Sequence, residues 1–328
     1  MAAALPPPTW KAFAVFLIFP LHIVLGVLSV PFALYMLLFV RSYVAWAIAL
    51  AYAPFYLYPA QRKYPGWKGF ESLWRWFDYA NTGPSYLGGF AVHNTENVDP
   101  KAQYFVAIHP HGTITLSRSF WRSALLEKLF PNWRMLAASV LYAIPLIREC
   151  TNWFGAVDAA RKNCEMWLKK GTTLVVYPGG LDEANVTELT KEVRLRTRTG
   201  FIRLAVQHHV AVLPMFVFGE LDLVKAVNPL PKFAQKFCRK VLRMSTNIFV
   251  GRFGILPKRV PLNLCIGKPI PVRVAAEGLA FDSEVERVHA LYKAELRRLY
   301  QENAAKFGYE DRELVFLCEK KGFTSEIV

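Results

Sequence analysis

The sequence predicts an α/β fold: a mixed, mostly parallel sheet flanked by helices, carried behind an N-terminal, membrane-anchored hydrophobic helical hairpin. Three observations lead there. Residues 12–40 carry no charged side chain, and after Arg41 and Ser42 the run 43–60 is again uncharged. Beyond residue 94, short apolar runs rich in branched and aromatic residues alternate with stretches of helical period, the pattern of a parallel sheet with crossover helices. The chain is 53% hydrophobic yet has a formal net charge of +15. Such a balance suits a membrane surface, anionic lipid or a phosphate-bearing substrate. At 328 residues the chain is long enough for one large domain or two small ones with a full core.

The N-terminal block comes first. A span needs roughly 20 apolar residues, so the first run exceeds that length and the second falls slightly short. Pro20 and Pro31 would kink or break a single long helix. Two arrangements fit: two spans, or a hairpin that dips into the bilayer, and both return the chain to its side of entry. Trp10, Trp46, Tyr56, Tyr58 and Trp67 suit the interfaces, and Arg62, Lys63 and Lys68 favour a cytoplasmic exit. A cleaved signal peptide would have an apolar core of only about 7–15 residues. Residues 1–68 therefore read as a membrane hairpin with its flanks, and residues 69–328 as a cytosol-facing domain.

Within that domain, 104–108, 135–140, 172–177, 210–218 and 262–266 read as buried strands, and 116–129, 158–169 and 198–208 as helices. A further helix opens near Ser283 and Glu286, a capping-box pair. Val285, Val288, Leu291, Tyr292, Leu296 and Leu299 give it one apolar stripe for the core, and Gly308 is a natural stop.

Between Leu223 and Ala276 there are eleven Lys or Arg and no acid, so 223–276 reads as a basic, membrane-associated segment. Phe233, Phe237 and Val241 share one helical face there, ringed by Lys236, Arg239, Lys240 and Arg243, in the manner of an interfacial helix. Charge alone would also admit nucleic acid, but no zinc knuckle, RNP pattern or helix-turn-helix accompanies it. The five cysteines are odd in number and widely spaced, which excludes a disulfide framework and suits a reducing compartment.

Three constellations carry candidate chemistry. The first is His109-Pro110-His111-Gly112 at the end of a predicted strand, where open α/β sheets place ligands. Two residues apart on an extended chain, the two histidines can face one side, and Gly112 permits a sharp turn. An imidazole titrates near neutral pH and can serve as a general base. Two histidines alone leave a zinc ion short of ligands, so no metal is expected. The second is Tyr177-Pro178-Gly179-Gly180-Leu181-Asp182-Glu183: the N–H groups at Gly179 and Gly180 can form an anion nest, and Glu183 can orient a histidine or bind a substrate hydroxyl. The third holds Arg194, Arg196, Arg198 and Arg203 around Gly200, a density able to grip phosphates. No GxSxG elbow, Walker loop or GxGxxG is present, so serine hydrolysis and nucleotide-driven chemistry lack their machinery.

With these blocks in view, the chain resembles the type-2 diacylglycerol acyltransferases, a family that includes monoacylglycerol and wax-alcohol acyltransferases. His109–Gly112 is similar to its HPHG block and Gly179–Glu183 to its GGxxE block. Arg198-Thr199-Gly200-Phe201-Ile202-Arg203-Leu204-Ala205 is similar to RxGFxxxA, and Leu213-Pro214-Met215-Phe216-Val217-Phe218-Gly219-Glu220 to VPxxxFGE. Order and spacing agree over roughly residues 10–315. A wider resemblance to glycerolipid acyltransferases is incomplete. Their HxxxxD motif would need an Asp where this chain has Ile114 (counting from His109) or Leu116 (counting from His111).

The resemblance implies a glycerolipid-acyltransferase-like fold in the endoplasmic-reticulum membrane, with the catalytic domain facing the cytosol, and a second setting at the lipid-droplet surface. It implies acyl-CoA as co-substrate, diacylglycerol or a similar lipid acceptor, contact with membrane lipids, no nucleic acid, and no metal or bound cofactor. A homo-oligomer is compatible with it. Plant-type members carry EPHS in place of HPHG, which makes His111 rather than His109 the better base. In the implied reaction His111 deprotonates the acceptor hydroxyl, Glu183 holds the imidazole or the glycerol, and N–H groups at Gly112, Gly179 or Gly180 meet the oxyanion. Arg194, Arg196, Arg198 and Arg203 attract the CoA phosphates. Monoacylglycerol and fatty alcohol are the alternative acceptors. The alternative class is a non-catalytic lipid-binding protein of membrane or droplet.

Overall fold

The computed structural model describes residues 9–40, 43–57, 67–76, 85–184, 192–242, 245–254, 256–273 and 279–317. In chain order its strands are β1 (Phe90–His93), β2 (Tyr104–His109), β3 (Trp133–Ala137), β4 (Ala156–Asp158), β5 (Thr173–Val176), β6 (Glu192–Leu195), β7 (Ala211–Phe218), β8 (Lys225–Val227), β9 (Ile248–Val250), β10 (Leu262–Ile266) and β11 (Glu313–Phe316). Seven form the central sheet in the order β1-β10-β7-β2-β5-β3-β4. β7, β2, β5, β3 and β4 are mutually parallel. β10 joins β7 antiparallel, and β1 joins β10 parallel. The sheet is thus mixed and mostly parallel, with its antiparallel part at one edge. β6 pairs with β11, and β8 with β9, as separate two-stranded sheets.

All five expected strands form. β2 lies near the middle, between β7 and β5, and all six of its residues are buried. Its side chains alternate between two cores, as the two-residue period of a strand requires. Tyr104, Val106 and Ile108 enter one cluster, with Trp121, Val175, Met215 and Leu264. Phe105 and Ala107 enter the other, with Phe201, Phe216, Tyr292 and Leu296. A strand buried on both faces reads as a continuous apolar run, which is why 104–108 was legible. β1 and β4 were not foreseen; they are four and three residues long, too short for a period to register.

The described helices are α1 (Trp10–Tyr35), α2 (Tyr43–Leu57), α3 (Lys68–Trp76), α4 (Ala124–Leu129), α5 (Ile147–Trp153), α6 (Arg161–Lys169), α7 (Gly180–Ala184), α8 (Gly200–Gln207), α9 (Lys232–Phe237) and α10 (Leu279–Asn303). Three expectations change. The predicted helix 116–129 splits into a 3-10 segment, Ser117–Arg122, and α4, because Ser123 is extended (φ −72°, ψ 146°) and caps the Leu126 N–H. α6 starts after Asp158, which ends β4 and accepts the Ala160 N–H at 2.9 Å. α10 begins at Leu279, so Ser283 and Glu286 lie inside it and form no capping box; Glu284 instead accepts the Arg273 N–H at 2.8 Å. Val285, Val288, Tyr292, Leu296 and Leu299 are buried as expected, but Leu291 falls one residue off the stripe and is 43% exposed.

At the N-terminus, α1 runs unbroken through Pro20 and Pro31, and a π-helical turn, Met36–Val40, follows it. Both apolar helices reach α5. A Cβ on Gly26 of α1 would stand 2.5 Å from Ile147 Cγ1, so the bare glycine permits the close approach. From α2, the Tyr52 hydroxyl donates to Glu149 Oε1 at 2.8 Å and the Tyr56 hydroxyl to the Ala143 carbonyl at 3.0 Å. Among the described residues no helix is long and apolar enough to cross a membrane. Tyr58, Arg62 and Lys63 lie outside the described residues.

Candidate active site

The parallel arrangement sets the site. β2, β5 and β7 are parallel neighbours, so the turns at their carboxyl ends come together. These turns carry His109 to Ser117, Tyr177 to Glu183, and Gly219-Glu220.

The two histidines, expected to share one side, take different surroundings. His109, the last residue of β2, is fully buried and packs 6.0 Å from the Tyr292 ring of α10. Its Nδ1 lies 2.7 Å from Glu183 Oε1, close but poorly directed for a hydrogen bond, and its Nε2 has no partner among the described residues. The His109–Pro110 bond is cis. Beyond it, His111 is only half-buried and meets Tyr177 edge-on at 5.9 Å. His111 Nδ1 is 2.7 Å from the Gly112 carbonyl. A carbonyl can only accept, so Nδ1 carries the proton and Nε2 keeps a free lone pair. Burial pushes the His111 pKa below the ordinary imidazole value, against the raising effects of the Gly112 carbonyl and Glu183. The neutral, basic form is the resting one.

Glu183 does not hold the His111 imidazole, as expected from the sequence. Its carboxylate contacts His109, accepts the His111 backbone N–H at 2.7 Å, and accepts the Arg196 N–H at 2.7 Å. From the short α7, the Glu183 carboxylate reaches main-chain N–H groups instead. Burial alone would raise the Glu183 pKa; the interaction with His109 and the two N–H groups outweigh it and hold the carboxyl below its usual range. A Cβ on Gly179 would sit 1.8 Å from the Glu183 carboxyl carbon, so this position admits only glycine while Glu183 stays in place.

Of the expected oxyanion donors, the Gly180 N–H is spent on the Tyr177 carbonyl at 3.2 Å. The N–H groups of Gly112 and Gly179 have no partner among the described residues. Gly112 has φ +64°, and a Cβ there would press on Glu220 Cγ at 3.2 Å.

All four expected phosphate-binding arginines are paired with carboxylates. Arg194 meets Glu192 at 2.7 Å and Arg203 meets Asp282 at 2.7 Å, on separate elements. Arg196 and Arg198 share one oxygen of Asp182, at 2.8 and 2.9 Å. Only Arg196 and Arg198, in the loop between β6 and α8, come together; Arg194 on β6 and Arg203 on α8 each meet a different acid.

The sequence reading missed two groups. Glu220 is buried, and its carboxyl accepts the Leu116 N–H at 2.6 Å and the Ser117 N–H at 3.1 Å. Ser117 Oγ lies 2.8 Å from the Tyr177 hydroxyl, so Glu220 steadies the shell around His111. An acid directly after a buried strand parallel to β2 was the available signal. Arg118 is half-buried, has no carboxylate partner among the described residues, and lines a cavity of about 20 Å³ with Arg122, Trp133 and Phe154. Its charge also lowers the His111 pKa, after burial. The described residues contain no cluster of three or more metal-ligating side chains.

Known proteins resemble this chain along most of its length. A sequence profile described as diacylglycerol acyltransferase matches residues 36–317. The chain belongs to the diacylglycerol acyltransferase family. Among curated relatives of the family, 2-acylglycerol O-acyltransferase 1 of Bos taurus is 28% identical over 308 residues, covering 85% of this chain and 88% of that one. Diacylglycerol O-acyltransferase 1 of Saccharomyces cerevisiae is 31% identical over 259 residues, covering 72% of this chain and 57% of that one. Among solved structures, the 1-acyl-sn-glycerophosphate acyltransferase of Thermotoga maritima matches with a TM-score of 0.42 at 17% identity, covering 77% of this chain and 93% of that chain.

Proposed function

We propose that this acyltransferase moves the acyl group of acyl-CoA to the free hydroxyl of diacylglycerol, giving triacylglycerol and free CoA. The observation that carries the reading is the fixed His111 tautomer: Nδ1–H donates to the Gly112 carbonyl, which leaves Nε2 as the base at a half-open position. Nε2 takes the hydroxyl proton as the oxygen attacks the thioester carbon. The Gly112 and Gly179 N–H groups receive the oxyanion. The intermediate collapses with cleavage of the carbon–sulfur bond, and the proton passes from Nε2 to the leaving thiolate. His109 and Glu183 act beneath, holding the His111 backbone through its N–H. Arg196 and Arg198, gathered on Asp182 next to Glu183, are the pair that meets the CoA phosphates. The reaction requires no metal or bound cofactor. Residues 1–68 anchor the enzyme in the endoplasmic-reticulum membrane, with the site facing the cytosol.

The relatives' names divide between 2-acylglycerol and diacylglycerol as acceptor, so the test runs acceptors in parallel. Labelled acyl-CoA is offered with diacylglycerol, monoacylglycerol or fatty alcohol in microsomes bearing the protein or His111→Ala. Transfer is expected to be fastest to diacylglycerol. It should fall about a thousandfold in the variant, within the usual range for a lost general base. Near-normal transfer by His111→Ala would overturn the base assignment. Absence of CoA release by the purified protein with every acceptor would favour a non-catalytic lipid-binding role.

A further inference from the structure

Among the described residues beyond 76, eleven large apolar side chains are exposed, and eight of them fall between Val227 and Phe253; the other three are Leu125, Leu146 and Leu291. The eight are not scattered. Phe233 (77% exposed), Phe237 and Val241 follow one another at four-residue spacing on α9 and its π-helical extension, Cys238–Leu242. On the adjoining hairpin, Val227 lies directly opposite Ile248, and Val250 opposite Lys225. All of these side chains are exposed, while Phe249 turns the other way and packs against the core. At the hairpin's far end the turn Gly251–Gly254 holds Phe253 at φ +53° and 74% exposed, with Arg252 over its ring at 4.9 Å. A bulky residue at positive φ is a backbone outlier, kept here at a largely exposed tip.

A face this apolar needs a cover. Charge says which one. Residues 223–276 carry eleven Lys or Arg and no Asp or Glu, and Lys232, Lys236, Lys240 and Arg252 are exposed among the apolar side chains. An ordinary protein interface loses lysine from its apolar centre. A leaflet with anionic head groups accepts both: rings and branched chains at the acyl boundary, ammonium groups among the phosphates.

We propose that α9 with its π extension and the β8–β9 hairpin form a platform that seats on an anionic lipid surface, separately from the N-terminal apolar helices. The platform is tied to the candidate site. Asn247 Nδ2 donates to the Ala184 carbonyl at 3.1 Å, at the end of the helix that carries Glu183. Asn228 Nδ2 locks the platform from within, donating to Thr246 Oγ1 at 2.9 Å and to Asn247 Oδ1 at 2.8 Å. A bilayer that holds the platform therefore sets the height of the His109–Glu183 turn above the lipid.

The test is hydrogen exchange on the full chain reconstituted in vesicles of phosphatidylcholine alone or of phosphatidylcholine with phosphatidylserine. The N-terminal helices are present in both, so the difference reports the platform. Amides of 232–254 are expected to exchange on the order of tenfold more slowly with phosphatidylserine, an effect that added salt weakens. The change Phe233→Ser with Phe237→Ser and Phe253→Ser should abolish that protection while leaving β2 and β7 protected. Should those three changes prevent folding, Lys232→Gln with Lys236→Gln and Lys240→Gln should remove the phosphatidylserine dependence alone. Equal exchange in the two vesicles overturns the proposal. So does protection that arises without lipid and grows with protein concentration, which gives the face to a second copy. No step of this readout needs acyl transfer, so its failure is separate from failure of the catalytic reading.

Discussion

Two turns, at the ends of the strands that flank β2, each bury a glutamate, and they treat it in opposite ways. After β5, Glu183 accepts the N–H groups of His111 and Arg196 and also contacts His109. After β7, Glu220 accepts the N–H groups of Leu116 and Ser117 but meets no cation or imidazole among the described residues. Burial pushes the Glu220 carboxyl up to about 7, while the Glu183 carboxyl ends below its usual range. The difference follows the partners: Glu220 has only neutral donors, the Ser117 side chain and two backbone N–H groups, whereas Glu183 also faces the His109 imidazole. Glu183 is accordingly a permanent anion under the site, and Glu220 a group that changes charge near neutral pH.

The largest effect that would break this comparison is on folding stability. Glu183→Ala leaves the buried N–H groups of His111 and Arg196 without their acceptor and removes the carboxylate beside His109 Nδ1, at an expected cost of about 4 kcal/mol. Thermal unfolding at neutral pH measures it. A loss no greater than that of Glu220→Ala would erase the distinction between the turns.

The next effect is a pH dependence. Glu220 has a folded pKa raised above its unfolded value of 4.5 to about 7. Its folded form holds the proton longer than the unfolded one. Stability from this group is therefore full below pH 4.5 and is lost as pH rises through about 7, by roughly 3 kcal/mol in all. Glu183 has the opposite sign: its contribution is present above the unfolded pKa and is lost as pH falls through the depressed folded value. Denaturant unfolding of Glu220→Gln across pH 5–8 should lack the decline seen in the unsubstituted chain. An unchanged decline would show that Glu220 is not its source.

A smaller effect sharpens the link between Glu220 and His111. Ser117→Ala removes the partner of the Tyr177 hydroxyl and should cost about 1 kcal/mol. It should reduce acyl transfer and, because the Ser117 side chain also lowers the Glu220 pKa, move the Glu220-linked decline to higher pH. The finest test is the acid limb of kcat/KM. Burial, with help from Arg118, lowers the His111 pKa, so that limb should lie below the ordinary imidazole value of 6.5. Arg118→Ala should move it upward, because a repelling cation is removed. A limb above 6.5 in the unsubstituted enzyme would mean that another group titrates.

Much of this site was legible along the chain. Strand-end turns announce themselves by a buried apolar run that stops at Pro or Gly, and both His109–Gly112 and Tyr177–Gly180 do so. Their pairing with Glu183 was partly readable: the acid was singled out, but the histidine it touches was taken as His111. The two histidines stand two residues apart, on either side of Pro110, and only the folded turn decides between them. Glu220 stood in the VPxxxFGE block without a role, and Arg118 carried no signal of a site. Their importance depends on β7 lying beside β2 and on a 3-10 segment replacing a predicted helix. Nor was the fate of the arginines: density along the chain reads the same whether each meets a phosphate or, as here, a carboxylate.

The sequence by itself determined the five expected strands of the central sheet, the apolar N-terminal helices and the basic apolar segment, because each rests on local period, length and charge. It also determined that HPHG stands at a strand end. Tertiary structure alone decided which histidine is buried, which nitrogen is free, and which of two glutamates stays charged. Those properties come from strands that meet only after folding, and from burial, which no stretch of sequence specifies alone.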